Sequence, residues 1–301
     1  MLVTAGPSNL APYIGRFAPS PTGPLHFGSL VTAVASYLDA KSANGQWFVR
    51  MEDLDPPREV VGAKKLIVDQ LKTHGLVSDQ PILYQSARLS FYEDRLQSLE
   101  AAAKIYRCSC ARSTYDNIYP GRCRAAEIPQ TAPHAIRFRT SQPVIKHLDL
   151  LQGFKAWRYG QDYGDFVVKR KDGLHAYQLA VVADDIDQNI TRIVRGADLF
   201  DSTPAQTELY AAFATRYPET LHIPLVLGQD GEKLSKQSRA PTLSGQSPQT
   251  NLNEALKFLN QSPVQSPDPA EILRQATLNW QPSRISPSWG RIWPSKDLML
   301  D

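Results

Sequence analysis

Apolar positions recur along this chain at two periods, and the two alternate. "YIGRFA" (13–18) is a short extended run, and between Phe27 and Asn44 the residues Leu30, Val31, Val34, Ala35 and Leu38 fall on one helical face that Gly45 is placed to stop. "QWFVRME" (46–52) is extended again. Strand, loop, helix and strand in close succession make a βαβ unit, which favours a parallel sheet. Two further helices are predicted, over 59–74 before Gly75 and over 86–104, where Leu89, Tyr92, Leu96 and Leu99 share a face. The pattern then breaks. Residues 105–175 are short alternating stretches such as "HAIRFRT", punctuated by Pro and Gly, with a hairpin turn expected at "KDG" (171–173). Alternation resumes over 177–227: "YQLAVVADDI" helical, "ITRIVRG" extended, "TPAQTELYAAFATRY" helical, "LHIPLVL" extended. A Gly/Lys/Ser loop, helical patterns at 251–260 and 268–280, and a Pro/Ser/Trp tail follow. The pattern predicts an α/β sheet split by an insertion at about 105–175, with a small C-terminal appendage.

Composition adds little to that picture except through its distribution. With 42% hydrophobic and 21% charged residues over 301 positions, the chain has material for a buried core. "MLVTAGPSNLAPYIG" lacks the basic and apolar segments of a signal peptide, and no apolar run reaches membrane-spanning length, so a soluble cytoplasmic protein without a membrane partner is expected. The net charge of +3 is too weak to argue for a polyanionic partner. Between Lys104 and His175, however, thirteen Lys/Arg stand against six Asp/Glu, a local excess of seven positive charges in a chain that is otherwise acidic. A basic middle segment suits a polyanion, although a solvated basic face reads nearly as well.

Two loops carry candidate chemistry. "FAPSPTGPLHFGSL" (17–30) sets three prolines and two glycines around His26, directly before the first helix. In a βαβ unit, ligands bind at the carboxyl ends of the strands and phosphates favour the following helix N-terminus. Prolines lower the entropy of such a loop, Gly23 and Gly28 let the backbone approach a ligand, and His26 can donate to a phosphate or stack under a base. The glycine spacing fits neither a P-loop nor a dinucleotide fingerprint. At the other end of the sheet, "GQDGEKLSKQ" (228–237) carries Lys233, Ser235 and Lys236 on a Gly-rich loop able to close over a triphosphate. Either loop alone reads as a rigid turn or a charged surface loop; bracketing one sheet, they point to nucleotide chemistry.

"PLHFG" resembles the HIGH signature of class I aminoacyl-tRNA synthetases, and "KLSKQ" resembles their KMSKS loop, departing from it at the Met and the final Ser. "RFAPSPTGPLHFG", "RMEDLD" and "AYQLAVVADDIDQNITRIVRGADLFDSTPAQ" closely resemble the glutamyl/glutaminyl branch. The resemblance runs from residue 15 to about 240 and implies a Rossmann-type catalytic domain whose insertion is like an acceptor-end-binding domain. The division that follows is an N-terminal extension 1–12, catalytic halves 13–104 and 176–240, an RNA-facing insertion 105–175 and a short helical region 241–301. By resemblance, His26, Gly28, Lys233, Ser235 and Lys236 bind ATP, with His26 and Lys236 acting on its phosphates, and Arg16, Ala18, Ser20, Glu52, Tyr177 and Arg195 fall on glutamate-binding positions. The residue types suit those roles: guanidinium forks for carboxylates, Glu52 for the α-ammonium, and Ser20 and Tyr177 for neutral hydrogen bonds. Asp184, Asp185 and Asp187 in "VADDID" could hold Mg²⁺, but a polar helix end is the favoured reading, and Mg²⁺ is expected to arrive with ATP. The α-carboxylate is already an anion, so forming glutamyl-adenylate needs alignment and phosphate charge stabilisation rather than a general base.

All three cysteines lie within sixteen residues: Cys108, Cys110 and Cys123. An odd count in a reducing compartment argues against disulfides, and Cys-x-Cys with a third Cys fits structural Zn²⁺, which wants a fourth ligand. Tyr119 of "NIYPGRC", His134 or water could supply it. The Cys-x-Cys…Tyr-x-x-x-Cys pattern resembles the zinc site of one subfamily, the glutamyl-Q tRNA(Asp) synthetases, which implies Tyr119. Only Ser238 to Asp301 follow the lysine loop, and at about 1.5 Å per helical residue two short helices are too little to read an anticodon, so no anticodon-binding domain is expected. The subfamily resemblance implies glutamate transfer to the queuosine at the wobble position of tRNA(Asp), the anticodon loop itself entering the cleft of a monomeric enzyme. Its rivals are a shortened glutamyl-tRNA synthetase charging the 3′ end of tRNA(Glu), a non-catalytic RNA-binding module, and an ATP-dependent ligase acting on a small amine.

Overall fold

In the computed structural model, which describes residues 12–116, 118–233, 243 and 246–293, the chain begins with the expected unit. Strand β1 (Ile14–Phe17) runs parallel to β2 (Gln46–Met51), with Ile14 opposite Gln46, and β2 runs parallel to β3 (Leu83–Tyr84). Trp47 to Met51 are all buried, as strands covered on both faces must be. Helix α1 (Phe27–Ser42) crosses between the first two strands and buries nine residues. It stops where Asn44 turns left-handed, and Gly45 is required there because a Cβ would stand 2.6 Å from the Tyr13 carbonyl oxygen. Helix α2 (Ala63–Thr73) begins four residues later than its periodicity predicts, since Pro56–Arg58 forms a separate 3₁₀ turn and Gly62 at the N-cap is left-handed. Helix α3 (Leu89–Ala101) is likewise preceded by a 3₁₀ turn, Gln85–Arg88.

The insertion is built from antiparallel strands, consistent with its short alternating stretches. Strands β4 (Ile105–Cys108) and β5 (Ala135–Phe138) form a sheet with β8 (Phe166–Lys169), and β6 (Val144–Asp149) and β7 (Gly153–Arg158) form a hairpin. At "KDG" the backbone does turn, with Lys169 bridged to His175. Helix α4 (Tyr177–Asp187), strand β9 (Arg192–Gly196), helix α5 (Thr203–Ala212) and strand β10 (Glu219–Ile223) then restore the parallel pattern, β9 pairing with β10. Strand β9 lies beside β1, tied by the Thr191 N–H to the Ile14 carbonyl (2.9 Å). The order β3-β2-β1-β9-β10 therefore reverses direction of growth between β1 and β9, the switch point at which open parallel sheets bind ligands.

The residues after 243 are not the appendage the sequence suggests. Strand β11 (Leu225–Leu227) pairs with β12 (Gly290–Ile292) from the Pro/Ser/Trp tail, and helices α6 (Pro248–Phe258) and α7 (Pro269–Leu278) pack on α1. Leu252, Leu256, Ile272, Trp280, Ile285 and Trp293 share one core with Leu30, Val34 and Leu38. The reason lies in α1, which buries far more than one stripe: the sheet covers one side, and α6, α7 and the tail cover the other. Trp280 also donates from Nε1 to the buried Asp39 (3.0 Å), and Trp293 stacks on Phe27. Among the described residues, no helix is long and apolar enough to cross a membrane.

Candidate active site

A cavity of about 710 Å³ opens at the carboxyl ends of β1, β2 and β9. Arg16 is the penultimate residue of the first of these strands, with Ala18 and Ser20 in the loop after it; Glu52 follows the second, Arg195 lies in the third, and Tyr177 opens α4. His26, Gly28 and Lys233 line the same cavity, so the structure brings together every predicted glutamate- and ATP-site residue it describes. Ser235 and Lys236 lie outside the described residues. His26 is the N-cap of α1, its Nδ1 accepting from the Ser29 N–H (3.3 Å), which puts the positive end of the helix dipole at the cavity wall. At Gly28 a Cβ would approach the His26 ring to 3.2 Å, so a larger residue would displace that ring. Lys233 is drawn to the cavity rim by an ion pair with Asp198.

The two arginines of the site have opposite surroundings. Arg16 is neutralised: its Nε and Nη2 donate to the two oxygens of Asp185 (3.1 and 3.2 Å). Arg195 is just as deeply buried, yet its partners are all neutral: His222 Nε2 (2.8 Å), Gln206 Oε1 (2.8 Å) and Tyr217 Oη (3.2 Å). Among the described residues no carboxylate pairs with it. A buried guanidinium without a counter-charge is costly, and a bound carboxylate relieves that cost. Across the cavity floor Glu52, with a side chain only 9% exposed, has the reverse problem. Burial pushes its carboxyl up to about 7, against the pull of Arg50 (3.5 Å) and Arg16. A site with an uncompensated cation and a reluctant anion is matched to a ligand carrying carboxylate and ammonium.

The acids of "VADDID" correct the sequence reading in part. Asp184 and Asp185 are fully buried rather than at a polar helix end, and they anchor arginines. Asp185 takes Arg50 Nη2 (2.7 Å) as well as Arg16, while Asp184 accepts from Gln85 (2.7 Å), Tyr92 (2.8 Å) and Arg88 (2.9 Å). Only Asp187 stands partly exposed, paired with Arg88. Arg50, which sequence reasoning does not single out, lies buried behind the site rather than in the cavity wall. Its signal is the arginine inside the apolar run "QWFVRM", since a cation in a doubly covered strand must meet buried acids.

The second cluster lies where β4 ends. The sulfurs of Cys108, Cys110 and Cys123 all fall within 4.8 Å of one another. The Tyr119 hydroxyl is 3.4 Å from Cys108 Sγ and 3.6 Å from Cys110 Sγ, and accepts from the Cys123 N–H (2.9 Å). The Arg137 guanidinium lies 3.8 Å over the Tyr119 ring, where it would offset the negative charge of a metal-bound donor set. Three sulfurs and one oxygen around one point are a donor set that fits tetrahedral Zn²⁺. His134 is not in the cluster; its Nδ1 lies 2.7 Å from the Ala132 carbonyl oxygen, and it lines a separate groove.

Comparison with known proteins agrees with this arrangement. The family model for the catalytic domain of class I tRNA synthetases (E and Q) matches residues 14–118 and 123–255. A glutamyl-Q tRNA(Asp) synthetase of Idiomarina loihiensis is 46% identical over 274 residues, covering 89% of this chain and 96% of the relative. One from Ectopseudomonas mendocina is 46% identical over 279 residues, covering 91% and 95%. A crystal structure of a glutamate tRNA ligase from Elizabethkingia meningosepticum, in complex with its amino acid, has the same fold, with a TM-score of 0.81 at 22% identity over 95% of this chain and 68% of that one. The chain is thus a ligase of the class I tRNA synthetase family, E and Q type, and within it belongs to the glutamyl-Q tRNA(Asp) synthetases.

Proposed function

We propose that this enzyme activates L-glutamate with ATP and transfers the glutamyl group to the queuosine at the wobble position of tRNA(Asp). The observation that carries the reading is the pairing, in one cavity, of a buried Arg195 with no carboxylate partner among the described residues and a buried Glu52, beside the N-terminus of α1. In the first step a glutamate α-carboxylate oxygen attacks the α-phosphorus of ATP, the bond to the bridging oxygen breaks, and pyrophosphate leaves. Arg16 and Arg195 hold the carboxylates, Glu52 the ammonium, and Ala18, Ser20 and Tyr177 complete the pocket. His26 and Gly28 meet the phosphates at the helix N-terminus; Lys233, Ser235 and Lys236 take the charge of the departing pyrophosphate, with Mg²⁺ carried in by ATP. In the second step a hydroxyl of the queuosine cyclopentene diol attacks the acyl carbon, and AMP leaves.

Cys108, Cys110, Tyr119 and Cys123 would hold a structural Zn²⁺, which cross-links the loop after β4. The basic insertion grips loop phosphates, contributing salt-sensitive affinity without base information. Labelled glutamate and ATP, offered to tRNA(Asp) with queuosine, tRNA(Asp) with guanosine there, and tRNA(Glu), should label the first alone. Labelling of tRNA(Glu) alone would make the enzyme a shortened glutamyl-tRNA synthetase. No labelling would favour a binding module or a small-amine ligase.

A further inference from the structure

Arg195 is held from behind by a buried chain that the reaction itself does not use. In the β9–β10 ladder Arg195 and His222 are register partners, and Arg195 Nε–H donates to His222 Nε2 (2.8 Å). A guanidinium carries only donors, so Nε2 must be the acceptor and the ring proton must sit on Nδ1. From there it is donated to Asp149 Oδ2 (2.6 Å). His222 is thereby neutral and fixed in one tautomer. Asp149 accepts further from the Thr220 hydroxyl (2.6 Å) and from the backbone N–H groups of Leu151 (3.0 Å) and Gln152 (2.8 Å). With its hydroxyl hydrogen directed at Asp149, Thr220 accepts in turn from His147 Nε2 (2.6 Å). Asp149, Thr220 and His222 are all buried.

This chain is expensive, and the backbone accounts for only part of it: Asp149 caps the turn after β6, but the parallel pairing of β9 and β10 is complete without His222 meeting Arg195. What the chain does is fix one torsion. Of the five N–H donors of Arg195, one goes to His222, one to Gln206 and one to Tyr217, which leaves one on each terminal nitrogen. Building on the functional reading above, we infer that Asp149 and His222 are positioning residues for amino-acid recognition, locking the Arg195 guanidinium so that an unspent N–H donor meets the substrate carboxylate. Asp149 ends β6, so the insertion hairpin supplies part of the amino-acid site.

The test is a pair of substitutions read by glutamate-dependent ATP–pyrophosphate exchange. His222→Leu removes both hydrogen bonds; His222→Gln retains an acceptor and a donor. For His222→Leu the KM for glutamate should rise about 10- to 100-fold with the KM for ATP within about twofold, because only the orientation of a carboxylate ligand is lost. His222→Gln should recover most of that loss. An unchanged KM for glutamate, or equal rises for both substrates, overturns the inference. Should His222→Leu not fold, the wild-type protein decides: ¹⁵N spectra of its histidines must show His222 neutral and protonated on Nδ1, and a proton on Nε2 refutes the chain outright. A wild-type enzyme inactive with glutamate but showing that tautomer would instead remove the functional reading beneath it.

Discussion

Glu52 gives the sharpest quantitative expectation. Burial holds its carboxyl at about 7, with Asp185 and Asp184 pushing up and Arg50 and Arg16 pulling down. Near pH 7 about half of the free enzyme therefore carries a proton there, and a protonated carboxyl offers an ammonium a donor instead of a charge. Docking the ammonium requires the ionised form, so glutamate must expel that proton. The expected release is about 0.5 protons per glutamate at pH 7, rising to about 0.9 at pH 6 and falling to about 0.1 at pH 8, when the bound carboxylate is fully ionised. The sign follows: affinity for glutamate is complete well above pH 7, is halved at about pH 7 and weakens toward about tenfold per pH unit below pH 6. Calorimetric titration of glutamate at the three pH values, each in two buffers of different ionisation enthalpy, measures the proton count directly. Glu52→Gln should abolish the buffer dependence and raise the KM for glutamate while sparing that for ATP. Heats independent of buffer between pH 6 and 8 would refute the reasoning, because they would mean that Glu52 is already ionised or does not receive the ammonium.

Three further outcomes are expected. Asp185→Asn leaves Arg16 and Arg50 buried against a neutral amide, which should cost about 3–5 kcal/mol in denaturant unfolding; a loss below 1 kcal/mol would mean that water reaches this network. His26→Ala removes a group beside the α1 N-terminus and should slow ATP–pyrophosphate exchange about 100-fold, in line with loss of one phosphate-stabilising donor, and full retention of exchange would take His26 out of the mechanism. Purified protein should contain one zinc per chain by elemental analysis, lost in Cys123→Ser. In Tyr119→Phe the metal should pass to a competing chelator at least tenfold more readily; equal retention would hand the fourth position to another donor.

The βαβ start was legible because its periods are strong and its breaks sit at Gly45 and Gly75, and the cavity residues were legible because they stand at strand ends beside two unusual loops. What the sequence hides are partnerships between distant side chains. Arg16 and Asp185 are 169 positions apart, and Asp149 and His222 are 73, with no local periodicity to announce either pair. The acids of "VADDID" look like a solvated helix end until α4 is seen to turn them toward Arg16 and Arg50. The C-terminal helices were placed but not docked, for a similar reason: a short amphipathic stripe says that a helix buries one face, not which neighbour receives it. The close spacing of Cys108, Cys110 and Cys123 announced the sulfur cluster, but only the folded loop separates Tyr119 from His134 as the neighbour of the sulfurs.

The Trp280–Asp39 hydrogen bond spans 241 positions, and Trp293 lies on Phe27. During synthesis, α1 leaves the ribosome early with one side of its apolar surface awaiting partners not yet translated. At about 5–20 residues per second, roughly 10–50 seconds pass before those partners emerge. For that interval the nascent chain presents an unsheltered hydrophobic face, open to aggregation and to chaperone binding. Ribosome pausing while the codons for α6 to Trp293 are read would prolong this exposure, while pausing before α1 would leave it unchanged.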